Sequence, residues 1–221
     1  MSDSTRLVLV SDTHGFHDFV VPDGDVLVHA GDGCRHGSLD EALEWAAFMR
    51  RQPHRHKLVI AGNHDRCFEA EFDLASRLFS DLGFLHDSGC VVEGLRCWGS
   101  PWQPWFFDWA FNLPRGPALA AKWAMIPDAT DVLITHGPPQ GILDRTSLDQ
   151  PAGCEELRAA IRRVRPRLHV FGHIHEGYGV DEADGTLFVN ASICTLRYRP
   201  TNPAIVVDLP HDPARPAVWV R

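Results

Sequence analysis

Five short apolar runs, each closed by a polar block of metal-seeking residues, set the narrowest limit on what this chain can become. Leu7 to Val10 runs into Ser11-Asp12-Thr13-His14, and Val26 to Ala30 runs into Gly31-Asp32. Leu58 to Ala61 leads to Gly62-Asn63-His64-Asp65, Val132 to Ile134 to Thr135-His136-Gly137, and Leu168 to Phe171 to Gly172-His173-Ile174-His175. Runs this short, rich in branched side chains and bounded by Gly, Asp and Asn, read as buried strands. The polar blocks then fall at carboxyl ends of strands, where open α/β sheets collect their ligands. One Asp or His after a strand is an ordinary loop residue, whereas five such blocks in order point to a site.

The remaining segments indicate how the strands are covered. Ser38 with Glu41 three residues later resembles a capping box and predicts a helix from Leu39 to Arg51, with Leu43, Ala46 and Ala47 on its apolar face. Further helices are expected over Leu74 to Asp81, Pro117 to Met125 and Glu155 to Val164. Val91 to Trp98 reads as a hairpin turning at Glu93-Gly94. After a turn at Asp184-Gly185 the tail is β-rich, with strands at Thr186 to Asn190, Ile205 to Leu209 and Ala217 to Val220. Helices between early strands and a β-rich tail predict two mixed sheets packed together with helices outside, a four-layered α/β/β/α sandwich.

No linker or composition shift divides the 221 residues, so a single domain over 1–221 is expected. The formal net charge of −8 argues against a nucleic-acid polymer as partner, because clustered Lys and Arg normally hold phosphate backbones. Small phosphorylated substrates stay open, since metal ions supply positive charge locally. A polar amino terminus and the lack of any long apolar stretch give no membrane partner and a cytoplasmic default. The six cysteines contain no C-x-x-C pair and read as reduced thiols.

Manganese, iron and zinc ions accept oxygen from carboxylate and amide groups and nitrogen from neutral imidazole. Asp12 and His14, two apart in an extended segment, can turn to one side and hold one ion. Asp32 is the single carboxylate of its block, and its two oxygens suit it to bridge two ions. Asn63, His136 and His173 are read as completing the second ion, and His175 as completing the first. The expected cofactor is therefore two divalent or trivalent metal ions, with manganese favoured and iron or zinc also compatible.

The order Asp-x-His, Gly-Asp, Gly-Asn-His-Asp, a lone His and Gly-His-x-His resembles the calcineurin-like metallophosphoesterase superfamily over residues 12 to 175. That resemblance implies the four-layered sandwich, with Asp12, His14, Asp32 and His175 on one ion and Asp32, Asn63, His136 and His173 on the other. A closer likeness, to metallophosphoesterase-domain-containing phosphodiesterases, runs through Gly99-Ser100-Pro101-Trp102-Gln103-Pro104-Trp105, Asn190-Ala191-Ser192 and Pro200-Thr201-Asn202-Pro203. Some animal members of that branch carry Gly in place of the first His of Gly-His-x-His. Here His173 is present, which implies an intact centre. Many superfamily members, the protein phosphatases among them, continue Gly-Asp into a further Asp and Arg before Gly, whereas this chain reads Gly31-Asp32-Gly33-Cys34-Arg35-His36-Gly37, which weakens the phosphoprotein phosphatase reading.

Two cations lower the pKa of a shared water toward about 7, so attack by a metal-bridging hydroxide on phosphorus is the expected chemistry. His64 is left over as a ligand and is assigned to a phosphoryl oxygen or to protonating the departing alkoxide. Asp65 is expected to orient that imidazole. Trp102 and Trp105, in the cluster that continues through Phe106, Phe107 and Trp109, are candidate substrate contacts, and Trp102 to Phe111 is a candidate homodimer surface. The expected activity is metal-dependent hydrolysis of small phosphodiesters, with cyclic nucleotides suggested by the resemblance. A phosphomonoesterase or nuclease on the same site, or a weakly active scaffold protein, are the alternatives.

Overall fold

The computed structural model describes residues 3–220. Strands β1 (Ser4–Val10) and β2 (Val26–His29) precede helix α1 (Leu39–Arg51), and β3 (His56–Val59) is followed by α2 (Cys67–Ala70), α3 (Phe72–Arg77) and β4 (Gly83–Phe84). A hairpin of β5 (Ser88–Val92) and β6 (Leu95–Ser100) leads through β7 (Gln103–Pro104) and β8 (Asn112–Leu113) to α4 (Pro117–Trp123) and β9 (Val132–Thr135). Then come α5 (Glu155–Val164), β10 (Leu168–Phe171), β11 (Gly179–Ala183), β12 (Thr186–Asn190), β13 (Ile205–Pro210) and β14 (Val218–Val220). Among the described residues no helix is long and apolar enough to cross a membrane.

Two six-stranded mixed sheets form the centre, ordered β14-β13-β1-β2-β3-β4 and β11-β12-β10-β9-β6-β5. In the first, β1 to β4 run parallel; in the second, β12, β10, β9 and β6 do. Alternate side chains of the two sheets, among them Leu7, Leu9, Val28, Ile60, Ile134, Val170 and Val189, meet in one inner core. The opposite face of the first sheet packs Val8, Val10 and Leu27 against Trp45, Phe48, Phe68 and Phe79. The opposite face of the second packs Leu133, Phe171 and Phe188 against Leu119, Trp123, Leu157 and Ile161. With apolar side chains on both faces of each sheet, helices must cover both, and the expected α/β/β/α sandwich results.

Helix α1 begins at the predicted capping box: Ser38 Oγ accepts from the Glu41 N–H at 3.2 Å, and Glu41 returns a carboxylate oxygen to the Ser38 N–H. Its buried face is a correction. Ala42, Trp45, Ala46 and Met49 turn inward at helical spacing, while Leu43 is 50% exposed and Ala47 half-buried. The large indole of Trp45 sets that rotation, because its ring lies against the backbone of Gly33 and a Cβ there would stand 2.0 Å from Cδ2. Gly33 thus admits a tryptophan behind the loop of Asp32. The helix expected over Leu74 to Asp81 lies earlier, at Phe72–Arg77, with turns carrying the chain on to β4. Glu93 and Gly94 both take positive φ, as a two-residue hairpin of the mirror-image type requires. All six cysteines are free.

Candidate metal centre

All five polar blocks arrive at one end of the sandwich. Loops after β1, β2 and β3 bring Asp12, His14, Asp32, Asn63 and His64 from the first sheet, and loops after β9 and β10 bring His136, His173 and His175 from the second. The loops interlock through their backbones. The Asp12 N–H donates to the Gly31 carbonyl, the His14 N–H to the Asp32 carbonyl and the Gly172 N–H to the His136 carbonyl, each at 2.9 Å. Asp12, His14, Asp32 and His173 all hold left-handed backbone, with φ of 53, 46, 56 and 65°. Asp and His tolerate that region better than most residues, and here it turns each strand end sharply into the site. Gly172 leaves room for Asp12, since a Cβ would stand 1.9 Å from Oδ2.

Asp32 sits between two groups of donors. Its Oδ2 lies 3.8 Å from His14 Nε2 on one side and 3.4 Å from His136 Nε2 on the other. Toward His14, the Nε2 of His175 lies 3.2 Å from His14 Nε2 and 3.2 Å from Asp12 Oδ1. Toward His136, the amide oxygen of Asn63 lies 2.8 Å from His136 Nε2 and 2.8 Å from His173 Nδ1. Two donors bound about 2.1 Å from one ion at octahedral or tetrahedral angles stand roughly 3.0–3.4 Å apart, and half of these six separations already fall in that range.

The hydrogen bonding behind the imidazoles supports the same fit. His136 Nδ1 donates to the Ala30 carbonyl and His175 Nδ1 to the Thr195 carbonyl, both at 3.0 Å, and His64 Nδ1 donates to the Arg35 carbonyl at 2.7 Å. A carbonyl only accepts, so each ring carries a proton on Nδ1 and leaves Nε2 to face the site, the orienting arrangement expected of ligating histidines. The Nε2 of His136 faces an amide oxygen and a carboxylate oxygen, two acceptors that call for a positive charge, from a cation or from a proton on the ring. Burial holds His14 down to about 4 and His173 down to about 3, so protons on these rings do not provide it. His136 and His175 differ: burial opposes their charge, but the Asp32 carboxylate carries His136 up to about 9 and the Asp12 carboxylate raises His175. Asp12 is anchored by Ser192, whose hydroxyl donates to Oδ2 at 2.9 Å. The sets Asp12/His14/His175, Asp12/Asp32/His136 and His14/Asp32/His64 each bring three donor atoms within 4.8 Å of one another.

Two expectations about the surroundings need correction. The carboxylate of Asp65 does not meet the His64 ring; it accepts the N–H groups of Gly62, Asp32 and Cys34 at 2.7, 2.8 and 2.8 Å. The imidazole is oriented by the Arg35 carbonyl, and Asp65 ties the Asp32 loop to its own. Burial and the charge of Asp32 push its carboxyl up to about 7 while the Cys34 and Gly62 amides pull the other way. Asp65→Ala, which leaves those amides without an acceptor, is expected to lower the unfolding free energy by about 3–5 kcal/mol in a denaturant melt. A loss below about 1 kcal/mol would contradict this tie.

Nor does Trp102 face the centre, and Trp105 makes no ring contact with its histidines. Trp102 donates its Nε1–H to Asp87 at 2.9 Å beneath the Lys122 ammonium, packing edge-on to Phe111, and Trp105 is 65% exposed. From that aromatic run, the residues at the site are Trp109, stacked on His64 at 4.0 Å between centroids, and Phe106, edge-on to His173 at 5.2 Å. Arg66 covers the outer face of Trp109. Spacing within a run of aromatics does not say which ring turns inward.

Comparison with known proteins gives the family. A profile described as calcineurin-like phosphoesterase matches residues 5–177. Human metallophosphoesterase domain-containing protein 1 is 48% identical over 232 aligned positions, covering 93% of this chain and 71% of the relative. The UPF0046 protein K07C11.7 of Caenorhabditis elegans is 38% identical, covering 86% and 70%. The fold is similar to the crystal structure of TT1561 of Thermus thermophilus, with a TM-score of 0.66 at 13% identity over 99% of both chains. Sequence and fold therefore agree that this chain belongs to the calcineurin-like phosphoesterase family.

Proposed function

We propose that the protein is a metal-dependent phosphodiesterase acting on small phosphodiesters through a dinuclear centre. The observation that carries this reading is the position of Asp32 Oδ2 between His14 Nε2 and His136 Nε2. Asp12, His14, Asp32 and His175 would hold one ion and Asp32, Asn63, His136 and His173 the other, with manganese favoured. When bound, such a pair supplies a nucleophile usable near neutral pH and positive charge for the phosphoryl oxygens. The rest belongs to the protein. The Nδ1–H bonds to Ala30 and Thr195 fix His136 and His175 in one tautomer, and Asp12 is held by Ser192 and the His173 N–H.

His64 has its Nδ1–H committed to Arg35, its ring centroid is 4.5 Å from that of His14, and Trp109 is stacked on one face. Its Nε2 is left to hydrogen-bond a phosphoryl oxygen or to hand a proton to the leaving alkoxide. Phe106 and Trp109 lie against His173 and His64 and would offer flat apolar faces to a leaving group. Small diesters, cyclic nucleotides among them, are the substrates of this reading. The direct test compares bis-p-nitrophenyl phosphate with p-nitrophenyl phosphate on metal-stripped protein, with and without manganese. Manganese-dependent cleavage favouring the diester is expected; preference for the monoester would replace this reading with a phosphatase.

A further inference from the structure

The turn from Thr195 to Arg199 presents an aromatic residue over three histidines of the centre. The ring of Tyr198 lies edge-on to His14, His175 and His64, with centroid separations of 4.8, 5.7 and 6.0 Å. Its backbone is left-handed at φ 53°, a region that a bulky side chain occupies only when its surroundings impose it. The surroundings here are well defined. The Tyr198 N–H donates to the Thr195 carbonyl at 2.8 Å, and the Thr195 N–H donates to the Arg199 carbonyl at 2.9 Å. The Thr195 carbonyl also accepts the Nδ1–H of His175, so one oxygen fixes both the turn and a candidate ligand. At its base the segment is anchored by the Ile193 N–H on the Ser11 carbonyl and the Asn202 side-chain amide on the Ser192 carbonyl.

A turn of this shape is most easily built from Gly or Asn, which enter left-handed backbone at low cost. A tyrosine there accepts strain in order to place its ring. The ring is 41% exposed, and its hydroxyl has no partner among the described residues, although Asp12 and Asp32 lie close enough to act on it electrostatically. A phenol is a hydrogen-bond donor, and donors facing an anionic acceptor make the stronger bonds. We infer that Tyr198 contacts the substrate, its hydroxyl donating to an oxygen of the phosphoryl group held at the centre. This rests on the phosphoesterase reading above and assigns the site a contact on the His14 side, across from Phe106.

Tyr198→Phe removes the O–H and keeps the ring, so it tests the contact without disturbing the turn. Three quantities are measured on the manganese-loaded protein: bound metal, affinity for inorganic phosphate by calorimetry, and kcat/KM on bis-p-nitrophenyl phosphate. Metal content and thermal midpoint are expected to match the wild type. Phosphate affinity is expected to fall about tenfold and kcat/KM about 10- to 100-fold, the range for a hydrogen bond to a charged acceptor. Unchanged phosphate affinity overturns the inference whatever the rate does. Loss of metal also overturns it, making the tyrosine a support for His175. If the wild type cleaves neither ester while Tyr198→Phe still weakens phosphate binding, the hydrolase reading falls and the contact stands. If the wild type cleaves the diester and the variant binds phosphate equally well, the reverse holds.

Discussion

Asp32→Asn is expected to lower kcat on a diester substrate by about 1,000-fold or more and to reduce bound metal together with it. The substitution is chosen so that little else changes. Asparagine keeps the volume, tolerates the left-handed backbone at φ 56° and retains an oxygen for the His64 N–H, which Asp32 Oδ1 accepts at 2.7 Å. What disappears is the negative charge and the second oxygen facing both His14 and His136. That charge also holds His136 protonated in the absence of a cation, against the pull of burial. In the metal-free variant His136 should therefore titrate lower than in the metal-free wild type, which an NMR titration of its ring protons would register. Metal content from elemental analysis beside kcat decides the main claim. Full metal occupancy with turnover within tenfold of wild type would remove Asp32 from the bridging position.

His64→Ala is expected to act differently, cutting kcat by about 100- to 10,000-fold while both metals stay bound. The ring stands at the edge of the donor cluster and its Nδ1–H is spent on the Arg35 carbonyl, which leaves a single nitrogen for chemistry. Because the alanine variant also exposes the face of Trp109, His64→Asn serves as a partner substitution that keeps a polar group near Arg35. The two should lose comparable activity if the imidazole handles a proton or a phosphoryl oxygen. Loss of metal in both would instead make His64 a ligand, since it shares a donor set with His14 and Asp32.

The fold was legible in the sequence where local pattern and burial coincide. Leu7 to Val10, Val26 to Ala30 and Leu168 to Phe171 read as strands because parallel strands covered on both faces are apolar at every position. Helix Glu155–Val164 and strand Thr186–Asn190 fell within their expected limits for similar reasons. β4 escaped notice because two residues, Gly83 and Phe84, show no period. β11 reads Gly-Val-Asp-Glu-Ala, polar enough to pass for a loop, and becomes a strand by pairing with β12 at the sheet edge.

The candidate ligands were legible because each is tied to its own strand end. The residues that position them were not. Asp65 reaches backbone amides 31 and 33 residues away, and Ser192 reaches Asp12 across 180 residues. Tyr198 arrives from a tail segment whose motif gives no hint of what it covers. Trp102 and Trp109 look alike as letters, and only the fold turns one to Asp87 and the other to His64.

The division of the ligands between the sheets has a practical consequence for anyone who wishes to improve this protein. Five of the eight site residues ride on one sheet and three on the other, joined by a close-packed layer of Leu, Val and Ile. Such layers transmit a displaced methyl group as a shift of the whole element. A cavity-filling change at Ile60 or Val170, attractive as a route to heat resistance, therefore alters the spacing between Asp32 and His136 as well. Changes on the outer helical layers carry less of this coupling, with the exception of Trp45, which packs against Gly33 behind the Asp32 loop. An engineer would begin with those outer layers and treat the inner one as part of the catalyst.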